Sequence, residues 1–241
     1  MFDFSQKVAV VTGASGALGA VVARRLFESG GRLALIDRSA DRLPALWPEA
    51  ASAPERVSFH SCDLADADAV SRVIAEISGE FGAIDHVFNI AGAYRGGETI
   101  ETATEATWKL LWEANFLSTH NVCRAVIAGS SGMRRRGSGS IVNVGSKASL
   151  AGDAGAGPYS IAKTAVVRLT ETLAAELKRE GVRVNAVLPG TIDTPANRHA
   201  MPDADPRTWV EAEALADAML FLASPLARAV TGVALPVFGL G

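Results

Sequence analysis

The sequence predicts an α/β fold: a doubly wound parallel sheet of seven strands with helices on both faces, formed as a single domain over residues 1–241. Short apolar runs alternate with helical stretches along the chain, an order typical of parallel strands joined by crossover helices. The apolar runs lack strict polar alternation, which is expected of strands covered on both faces. The length of 241 residues also suits one large α/β domain.

The boundaries of these elements follow from the same pattern. Seven strands are predicted, at Val8–Thr12, Arg32–Asp37, Val57–Cys62, His86–Asn89, Ser140–Val144, Arg183–Leu188 and Ala234–Phe238. Helices are predicted between them, at Ala17–Ser29, Asp66–Phe81, Thr104–Ala128, Pro158–Arg179 and Glu211–Ala223.

Two segments interrupt the alternation. Leu43–Pro54 contains prolines and is predicted to be a surface excursion between the second and third strands. Thr194–Trp209, with three prolines and mixed polarity, is predicted to be an irregular substrate flap. It should lie over the carboxyl ends of the strands, where open α/β sheets bind their ligands.

Composition excludes several classes of partner. The formal net charge is −3 and the longest basic run is Arg134–Arg136, so nucleic acid is not expected as a ligand. No segment has the length of apolar sequence that a membrane helix needs, and the start does not have the pattern of a signal peptide. The two cysteines, Cys62 and Cys123, have no metal-ligand spacing and are expected to be reduced core residues. We therefore expect a cytoplasmic protein that acts on a small molecule and has no metal site.

A glycine-rich turn follows the first predicted strand and precedes the first helix. Glycines at 13, 16 and 19 allow a sharp turn and a close backbone approach to a pyrophosphate, which the helix amino terminus would attract. The position of the turn in the first strand–helix unit favours a Rossmann-type dinucleotide site over a merely tight turn. The residues expected to contact the dinucleotide here are Gly13, Ser15, Gly16, Ala17, Leu18 and Gly19.

Asp37 ends the second predicted strand. A carboxylate at this position can accept hydrogen bonds from the adenosine ribose and repels a 2′-phosphate, so it favours NAD over NADP. Arg38 leaves NADP open, because its guanidinium could hold a 2′-phosphate.

Tyr159 and Lys163 lie near the start of a predicted helix that Gly157-Pro158 opens. Their i, i+4 spacing puts both side chains on one helix face. A lysine cation and an oxidised nicotinamide would each favour the phenolate, which suits Tyr159 to proton exchange with an alcohol oxygen. Alone, this pair is common by chance.

The combined motifs make the pair specific. The chain has the glycine turn, Asn89-Ile90-Ala91-Gly92 after the fourth strand, Asn115 in the long helix, Ser146 after the fifth strand, Tyr159 with Lys163, and Pro189-Gly190 after the sixth strand. In this combination the sequence resembles the short-chain dehydrogenase/reductase family over essentially its whole length.

The resemblance implies a role for each matching residue. Tyr159 would be the general acid/base, Lys163 would bind the nicotinamide ribose, Ser146 would hydrogen-bond the substrate oxygen, and Asn115 would hold a water that links Lys163 to solvent. The further cofactor contacts that it implies are Asp63 and Leu64 at the adenine, Asn89, Ala91 and Gly92 at the adenosine ribose side, and Pro189, Gly190, Ile192 and Thr194 around the nicotinamide.

The chain departs from the main branch of the family in two places. Gly16 and Ala17 reverse the usual order of the glycine turn, which here is similar to that of the dihydropteridine reductases, as is the segment from Asp193 to Trp209. Phe238-Gly239-Leu240 replaces the usual Asp-Gly-Gly of a terminus that often packs against a neighbouring subunit.

These observations lead to one main expectation and two alternatives. The main one is an NAD-dependent enzyme that interconverts a small alcohol and its carbonyl compound. The alternatives are an NADH-dependent reductase of a conjugated ring, in which Ser146 matters little, and a dinucleotide-binding regulator without catalysis. The apolar stripes of Thr104–Ala128 and Pro158–Arg179 match the packing helices of relatives, so a homotetramer is expected first and a homodimer second.

Overall fold

A computed structural model describes residues 2–129 and 131–240, apart from the side chains at positions 49 and 51. Positions 1, 130 and 241 of the predicted domain lie outside the described residues. The strands are β1 (Val8–Thr12), β2 (Arg32–Asp37), β3 (Val57–Ser61), β4 (His86–Asn89), β5 (Gly139–Val144), β6 (Val182–Pro189), β7 (Ile192–Asp193), β8 (Val210–Glu211) and β9 (Ala234–Val237). The α-helices are α1 (Ala17–Glu28), α2 (Leu43–Leu46), α3 (Ala67–Phe81), α4 (Glu105–Leu111), α5 (Ser118–Ile127), α6 (Met133–Arg136), α7 (Gly157–Leu177), α8 (Pro195–Ala200) and α9 (Ala212–Ala223).

The main sheet confirms the predicted fold class. Its seven strands run in the order β3-β2-β1-β4-β5-β6-β9, and every neighbouring pair is parallel. The order reverses between β1 and β4, which begin the two halves of the sheet. In doubly wound folds the ligand binds in the crevice at this reversal.

Two hydrophobic layers cover the sheet, one on each face. On one face, α1 and α9 bury residues such as Leu26 and Met219. On the other face, α3, α5 and α7 bury residues such as Ile77, Val122 and Leu177. Alternate residues of each strand point into opposite layers, which explains why the strands read as nearly continuous apolar runs.

The structure corrects three local expectations. The predicted helix Thr104–Ala128 is not uniform, because a π-helical segment at Trp112–Leu117 joins α4 to α5. The surface excursion Leu43–Pro54 packs against the core, where Trp47 is 1% exposed and lies edge-on to Phe27. The flap Thr194–Trp209 is not irregular throughout, since it contains α8 and is closed at its base by the pairing of β7 with β8.

Candidate active site

The glycine turn depends on close backbone packing at two of its glycines. Gly13 has a φ of 66°, and a Cβ atom built on it would lie 2.9 Å from the Cα atom of Ala91. A Cβ atom on Gly19 would overlap the carbonyl oxygen of Gly13. Any side chain at these positions would therefore push the turn away from α1 or from the end of β4.

Thr12 ties this turn to the end of β4. Its Oγ1 atom accepts hydrogen bonds from the backbone N–H groups of Ile90, at 3.0 Å, and Ala91, at 3.1 Å. The crevice between β1 and β4 therefore has a fixed edge, and residues that the sequence separates widely become neighbours there.

Asp37 makes direct contact with the glycine turn. Its Oδ2 atom accepts hydrogen bonds from the Ser15 backbone N–H, at 3.1 Å, and from the Ser15 hydroxyl, at 2.7 Å. The carboxylate at the end of β2 is thus held against the first turn, beside the start of α1. That start carries no side-chain cap, so its backbone N–H groups are open to a ligand.

A cavity of about 490 Å³ lies in the crevice. Thirteen of the predicted cofactor contacts line it: Gly13, Ser15, Gly16, Ala17, Leu18, Gly19, Asp37, Arg38, Asp63, Leu64, Ala91, Gly92 and Ile192. Nine further lining residues were not among the predicted cofactor contacts, and these are Cys62, Ala65, Ile90, Ala93, Leu110, Glu113, Ala114, Ser118 and Val144. Several of these nine are on the α4–α5 segment, where the sequence motifs had marked only Asn115.

Asn89 lies away from the cavity, in a buried amide network. Its Nδ2 atom donates to Oδ1 of Asn143 at 2.9 Å, and Nδ2 of Asn143 donates to the Thr170 hydroxyl at 2.9 Å. The network joins β4, β5 and α7 beneath the crevice. Asn89 therefore helps to hold the strands that carry the site.

Lys163 extends from α7 to the end of β5. Its Nζ atom donates to the carbonyl oxygen of Val144 at 2.8 Å, and the residue is 4% exposed. A Cβ atom built on Gly92 would lie 3.4 Å from this Nζ atom. Val144 and Gly92 both line the cavity, so the ammonium group lies next to two lining residues, although Lys163 itself does not line it.

Asn115 lies in the π-helical segment and fixes the turn after β4. Its Nδ2 atom donates to the carbonyl oxygens of Ala93 and Leu111, both at 2.9 Å, and its Oδ1 atom accepts from the Ala93 N–H at 3.3 Å. Both amide hydrogens are thus engaged by the protein. A π-helical turn of this kind often accompanies a functional site, and here it brings Asn115 within contact of Gly92.

Ser146 and Tyr159 meet beside this group. Ser146 follows β5, and its Oγ atom accepts from the Ala148 N–H at 3.2 Å. The Ser146 hydroxyl is also close enough to the Tyr159 phenol to lower the pKa of that phenol. Ser146 and Tyr159 thus lie near each other at the end of β5 and the start of α7, and Lys163 and Asn115 both approach Gly92. None of these four residues is among those that line the cavity.

Burial governs the protonation of the two central groups. Burial raises the pKa of Tyr159 above its usual value, the Ser146 hydroxyl lowers it by less, and the Tyr94 phenol raises it further. Burial also lowers the pKa of Lys163 to about 8. The surroundings that the chain itself provides therefore shift the Tyr159 pKa in the opposite direction to the sequence expectation. Desolvation has the largest effect on the Tyr159 pKa, because the Lys163 ammonium is directed at Val144. The phenol is therefore protonated near neutral pH.

Tyr94 packs directly on Tyr159, a contact that no motif in the sequence indicates. The ring centroids are 5.0 Å apart and the ring planes meet at 85°, an edge-to-face arrangement. Tyr94 follows the turn after β4 by two positions. This position next to a motif could have marked Tyr94 as a candidate site residue. Its contact with Tyr159, however, can be found only from the fold.

The remaining predicted contacts lie on the flap side. Pro189 ends β6 and is buried, and Thr194 caps α8 by accepting from the Asn197 N–H at 3.1 Å. Gly190 allows the chain to approach Phe238, whose carbonyl oxygen would lie 2.9 Å from a Cβ atom at position 190. Pro189, Gly190 and Thr194 therefore surround the flap base and do not line the cavity.

The last described residues fold back on the same side. The Leu240 N–H donates to the carbonyl oxygen of Thr208 at 3.1 Å, and Lys147 places its Nζ atom 5.3 Å from the centre of the Phe238 ring. The segment that departs from the main branch of the family thus packs on the flap of its own chain.

Within the described part of the chain, no group of three or more His, Cys, Asp and Glu side chains is arranged to hold a metal ion. The helices of that part also include none that is long and apolar enough to span a membrane.

Comparison with known proteins gives a family and close relatives. The model of the short chain dehydrogenase family matches residues 7–205. The chain is 34% identical over 249 residues to the 2-(R)-hydroxypropyl-CoM dehydrogenase of Xanthobacter autotrophicus, with 97% of each protein covered. It is also 34% identical over 242 residues to the (2S)-[(R)-hydroxy(phenyl)methyl]succinyl-CoA dehydrogenase subunit BbsD of Thauera aromatica, covering 97% of this chain and 95% of the relative.

Solved structures agree with the sequence comparison. The crystal structure of levodione reductase superposes with a TM-score of 0.89 at 30% identity, covering 98% of this chain and 97% of that one. The similarity of the glycine turn to the dihydropteridine reductases stays a prediction.

The buried lysine leads to a prediction about stability. Replacing Lys163 with methionine removes a buried cation, so we expect the free energy of unfolding at about pH 7 to rise by roughly 1–3 kcal/mol, after allowance for the lost hydrogen bond to Val144. Between the folded pKa of about 8 and the ordinary value of 10.5, the unfolded lysine binds a proton that the folded one releases. The stability of the unaltered chain therefore rises with pH in this window, and the advantage of the variant shrinks.

Urea unfolding of both proteins from about pH 7 to about pH 10 measures the effect. A Lys163→Met variant that is less stable at the lower pH, or a gap that does not change with pH, would contradict the assignment of a desolvated ammonium.

Proposed function

The chain belongs to the short-chain dehydrogenase/reductase family of oxidoreductases, and we propose that it is an NAD(H)-dependent enzyme that interconverts a small alcohol and its carbonyl compound. The observation that carries the proposal is that Lys163 binds Val144 and approaches Gly92, two residues that line the cavity of the glycine turn, while Ser146 lies close to Tyr159, one turn before Lys163 on α7. Named relatives that are dehydrogenases or reductases support the same chemistry.

The cavity fits a dinucleotide. The uncapped start of α1 and the missing side chains of Gly13 and Gly19 leave room and N–H donors for a pyrophosphate. We propose that Asp37 holds the adenosine ribose, that Asp63 and Leu64 contact the adenine, and that Lys163 holds the nicotinamide ribose. Ala91 and Gly92 are proposed at the adenosine ribose side. The residues proposed around the nicotinamide are Pro189, Gly190, Ile192 and Thr194, of which Ile192 lines the cavity.

We propose that residues of the chain carry out the proton transfer. When bound, the nicotinamide supplies or accepts the hydride. In the reducing direction, the Tyr159 hydroxyl donates its proton to the substrate oxygen as charge develops there, and the Ser146 hydroxyl stabilises the same oxygen. In the oxidising direction, Tyr159 takes the proton back. We propose that in the enzyme loaded with oxidised nucleotide the Lys163 cation and the nicotinamide charge together favour the phenolate, against the burial that raises the Tyr159 pKa.

We propose that Asn115 is a positioning residue for the turn after β4. Its amide hydrogens are bound to Ala93 and Leu111, so any water that it holds must sit on one of its oxygen atoms. By fixing Ala93 it also fixes Gly92 next to the Lys163 ammonium.

The first prediction concerns the proton donor. We expect Tyr159→Phe to lower kcat by a factor of about 10²–10⁴, because the general acid is lost, while the Kd for NADH stays within about threefold. Carbonyl-dependent oxidation of NADH and direct titration with NADH measure the two effects. A variant that keeps most of its rate would contradict the role of Tyr159.

Ser146→Ala serves as the companion variant. A loss of about 10²-fold or more in kcat is expected if the reacting group is a carbonyl oxygen that Ser146 stabilises. Near-normal activity would favour the reductase of a conjugated ring, and tight NADH binding with no turnover of any carbonyl would favour a regulator.

The preference for NAD rests on the charges around the cavity. Asp37, Asp63 and Glu113 line it together with one guanidinium, that of Arg38. A 2′-phosphate beside Asp37 would meet a carboxylate already fixed by two hydrogen bonds from Ser15. We therefore propose NAD as the cofactor, with NADP use limited by repulsion at Asp37.

Asp37→Asn tests this preference without removing the acceptor for Ser15. We expect the ratio of kcat/KM for NADPH to that for NADH to rise at least about tenfold, because the like-charge repulsion is lost. Ser15→Ala, which loosens the turn and keeps the charge, should leave the ratio nearly unchanged. An unaltered chain that already prefers NADPH would contradict the proposal.

Assembly is proposed from an exposed aromatic row. Trp112 is 37% exposed, and its ring is tilted by 38° against that of Phe116 with the centroids 4.5 Å apart. The Phe116 ring in turn stacks on His120, with the centroids 5.9 Å apart. Ile161 on α7 is also exposed. We propose that this face packs against a second copy in a homotetramer, with a homodimer as the alternative. The free thiols of Cys62 and Cys123 fit the cytoplasm expected from the sequence.

Sedimentation of the protein at micromolar concentration measures its mass directly. A mass of four chains is expected, and Trp112→Glu should reduce it by placing a charge in the apolar contact. A monomer would contradict the proposed assembly.

A further inference from the structure

Tyr94 is an exposed aromatic residue at the centre of the proposed active site. Its side chain is 70% exposed, yet its ring is in edge-to-face contact with that of Tyr159. Exposed large apolar groups beside a reacting centre commonly bind a ligand, because a ligand then removes their surface from water.

The backbone around Tyr94 is fixed at both ends. On one side, Ala93 is bound by Asn115 through two hydrogen bonds. On the other side, the Gly97 N–H donates to the carbonyl oxygen of Gly155 at 2.8 Å, and Glu98 pairs with Ala156 in a parallel bridge. Tyr94 can therefore move by rotation of its own side chain while the segment that carries it stays in place.

Gly96 makes room for the tip of the tyrosine. A Cβ atom at position 96 would overlap the Oη atom of Tyr94 and lie 2.9 Å from its Cζ atom. The phenol tip thus fills the space that the missing side chain leaves. The position of the ring over Tyr159 depends on a glycine two residues later in the chain.

The charged neighbours of Tyr94 are directed elsewhere. Arg95 donates to the Thr107 hydroxyl at 3.4 Å, and that hydroxyl donates to Glu98 at 3.2 Å. Two exposed apolar residues also belong to these segments. Ile100, 62% exposed, contacts the start of α7 at Gly157, and Leu150, 60% exposed, follows Ser146 by four positions.

These contacts limit what can lie next to the reacting carbon. A substrate whose oxygen binds Tyr159 and Ser146 must direct one of its carbon substituents toward Tyr94, because the two rings are only 5.0 Å apart. A planar substituent can stack on the exposed face of Tyr94, whereas a flexible chain gains less from the same surface.

We propose that Tyr94 is a specificity-determining residue that selects substrates with a planar ring attached to the reacting carbon. The ring of Tyr94 forms one wall of the substrate site and stacks on the ring of the substrate. This inference rests on the proposed function, because it takes Tyr159 as the group that binds the substrate oxygen.

Binding of two ketones of equal carbon number tests the proposal. Acetophenone and 2-octanone are titrated into the enzyme loaded with NAD, a complex in which a ketone cannot react further. We expect Tyr94→Ala to weaken acetophenone between about three- and tenfold, the range that aromatic pairs typically contribute, and to leave 2-octanone within about twofold. Tyr94→Phe, which keeps the ring, should retain the preference for acetophenone.

Gly96→Ala provides a second and independent variant. The added methyl group displaces Tyr94, so it should also reduce the preference for acetophenone. In a Tyr94→Ala background it should have no further effect, because the residue that it displaces is absent. Equal changes for both ketones in Tyr94→Ala, an unchanged preference, or an additive effect of Gly96→Ala would overturn the proposal.

Turnover with NADH separates this proposal from the one on which it rests. If acetophenone binds in preference to 2-octanone through Tyr94 but neither ketone is reduced, the carbonyl chemistry fails and the assignment of Tyr94 stands. If both ketones are reduced and the Tyr94 variants affect them equally, the assignment of Tyr94 fails alone.

Discussion

The site depends on one buried cation. The Lys163 ammonium has almost no contact with solvent, and the carbonyl oxygen of Val144 accepts its hydrogen bond at the end of β5. A cation in such surroundings carries a desolvation cost that only a functional need would maintain. The features around it hold that charge at one point: the start of α7, the glycine at 92 and the amide of Asn115. The lysine thus links the helix that carries Tyr159 to the strand that leads into Ser146.

The order of the strands explains why a few hydrogen bonds are enough to hold the crevice in place. The reversal between β1 and β4 opens a crevice at the carboxyl ends of the strands. Thr12 fixes the edge of this crevice by accepting hydrogen bonds from the two residues that follow Asn89. The short segment from Ile90 to Ala93 lines the cavity and therefore connects the glycine turn to the Lys163 side of the crevice. Asn115 binds Ala93 of this segment, and so joins it to the π-helical segment between α4 and α5.

The fold was largely predictable because its signals are local. Strands covered on both faces read as apolar runs, and the glycine turn sits where a strand meets a helix, so both could be found without coordinates. The π-helical segment was not predictable, because one extra residue in a turn hardly changes the helical period over Trp112–Leu117. Trp47 gave no signal either, since prolines mark a loop but do not show whether its apolar residues pack inward.

The residues of the candidate site were named from the sequence, but the direction of the Tyr159 pKa and the contact with Tyr94 were not. The family motifs gave Ser146, Tyr159 and Lys163, and the fold brings them together. The direction of the Tyr159 pKa was missed because it depends on how much water the surrounding chain excludes, which spacing cannot show. The neighbour of Tyr159 was missed for a related reason: the contact with Tyr94 joins two loops whose approach is set by the whole sheet.

The pairing of Tyr94 with Tyr159 has a practical consequence. The chain contains two tyrosines, and they are in contact with each other at the proposed reaction centre. Every phenol in the molecule is therefore at the same place, and phenolate absorbance during an alkaline titration reports on that place alone. The protein thus carries an intrinsic optical probe, with which ligand entry can be followed without a label.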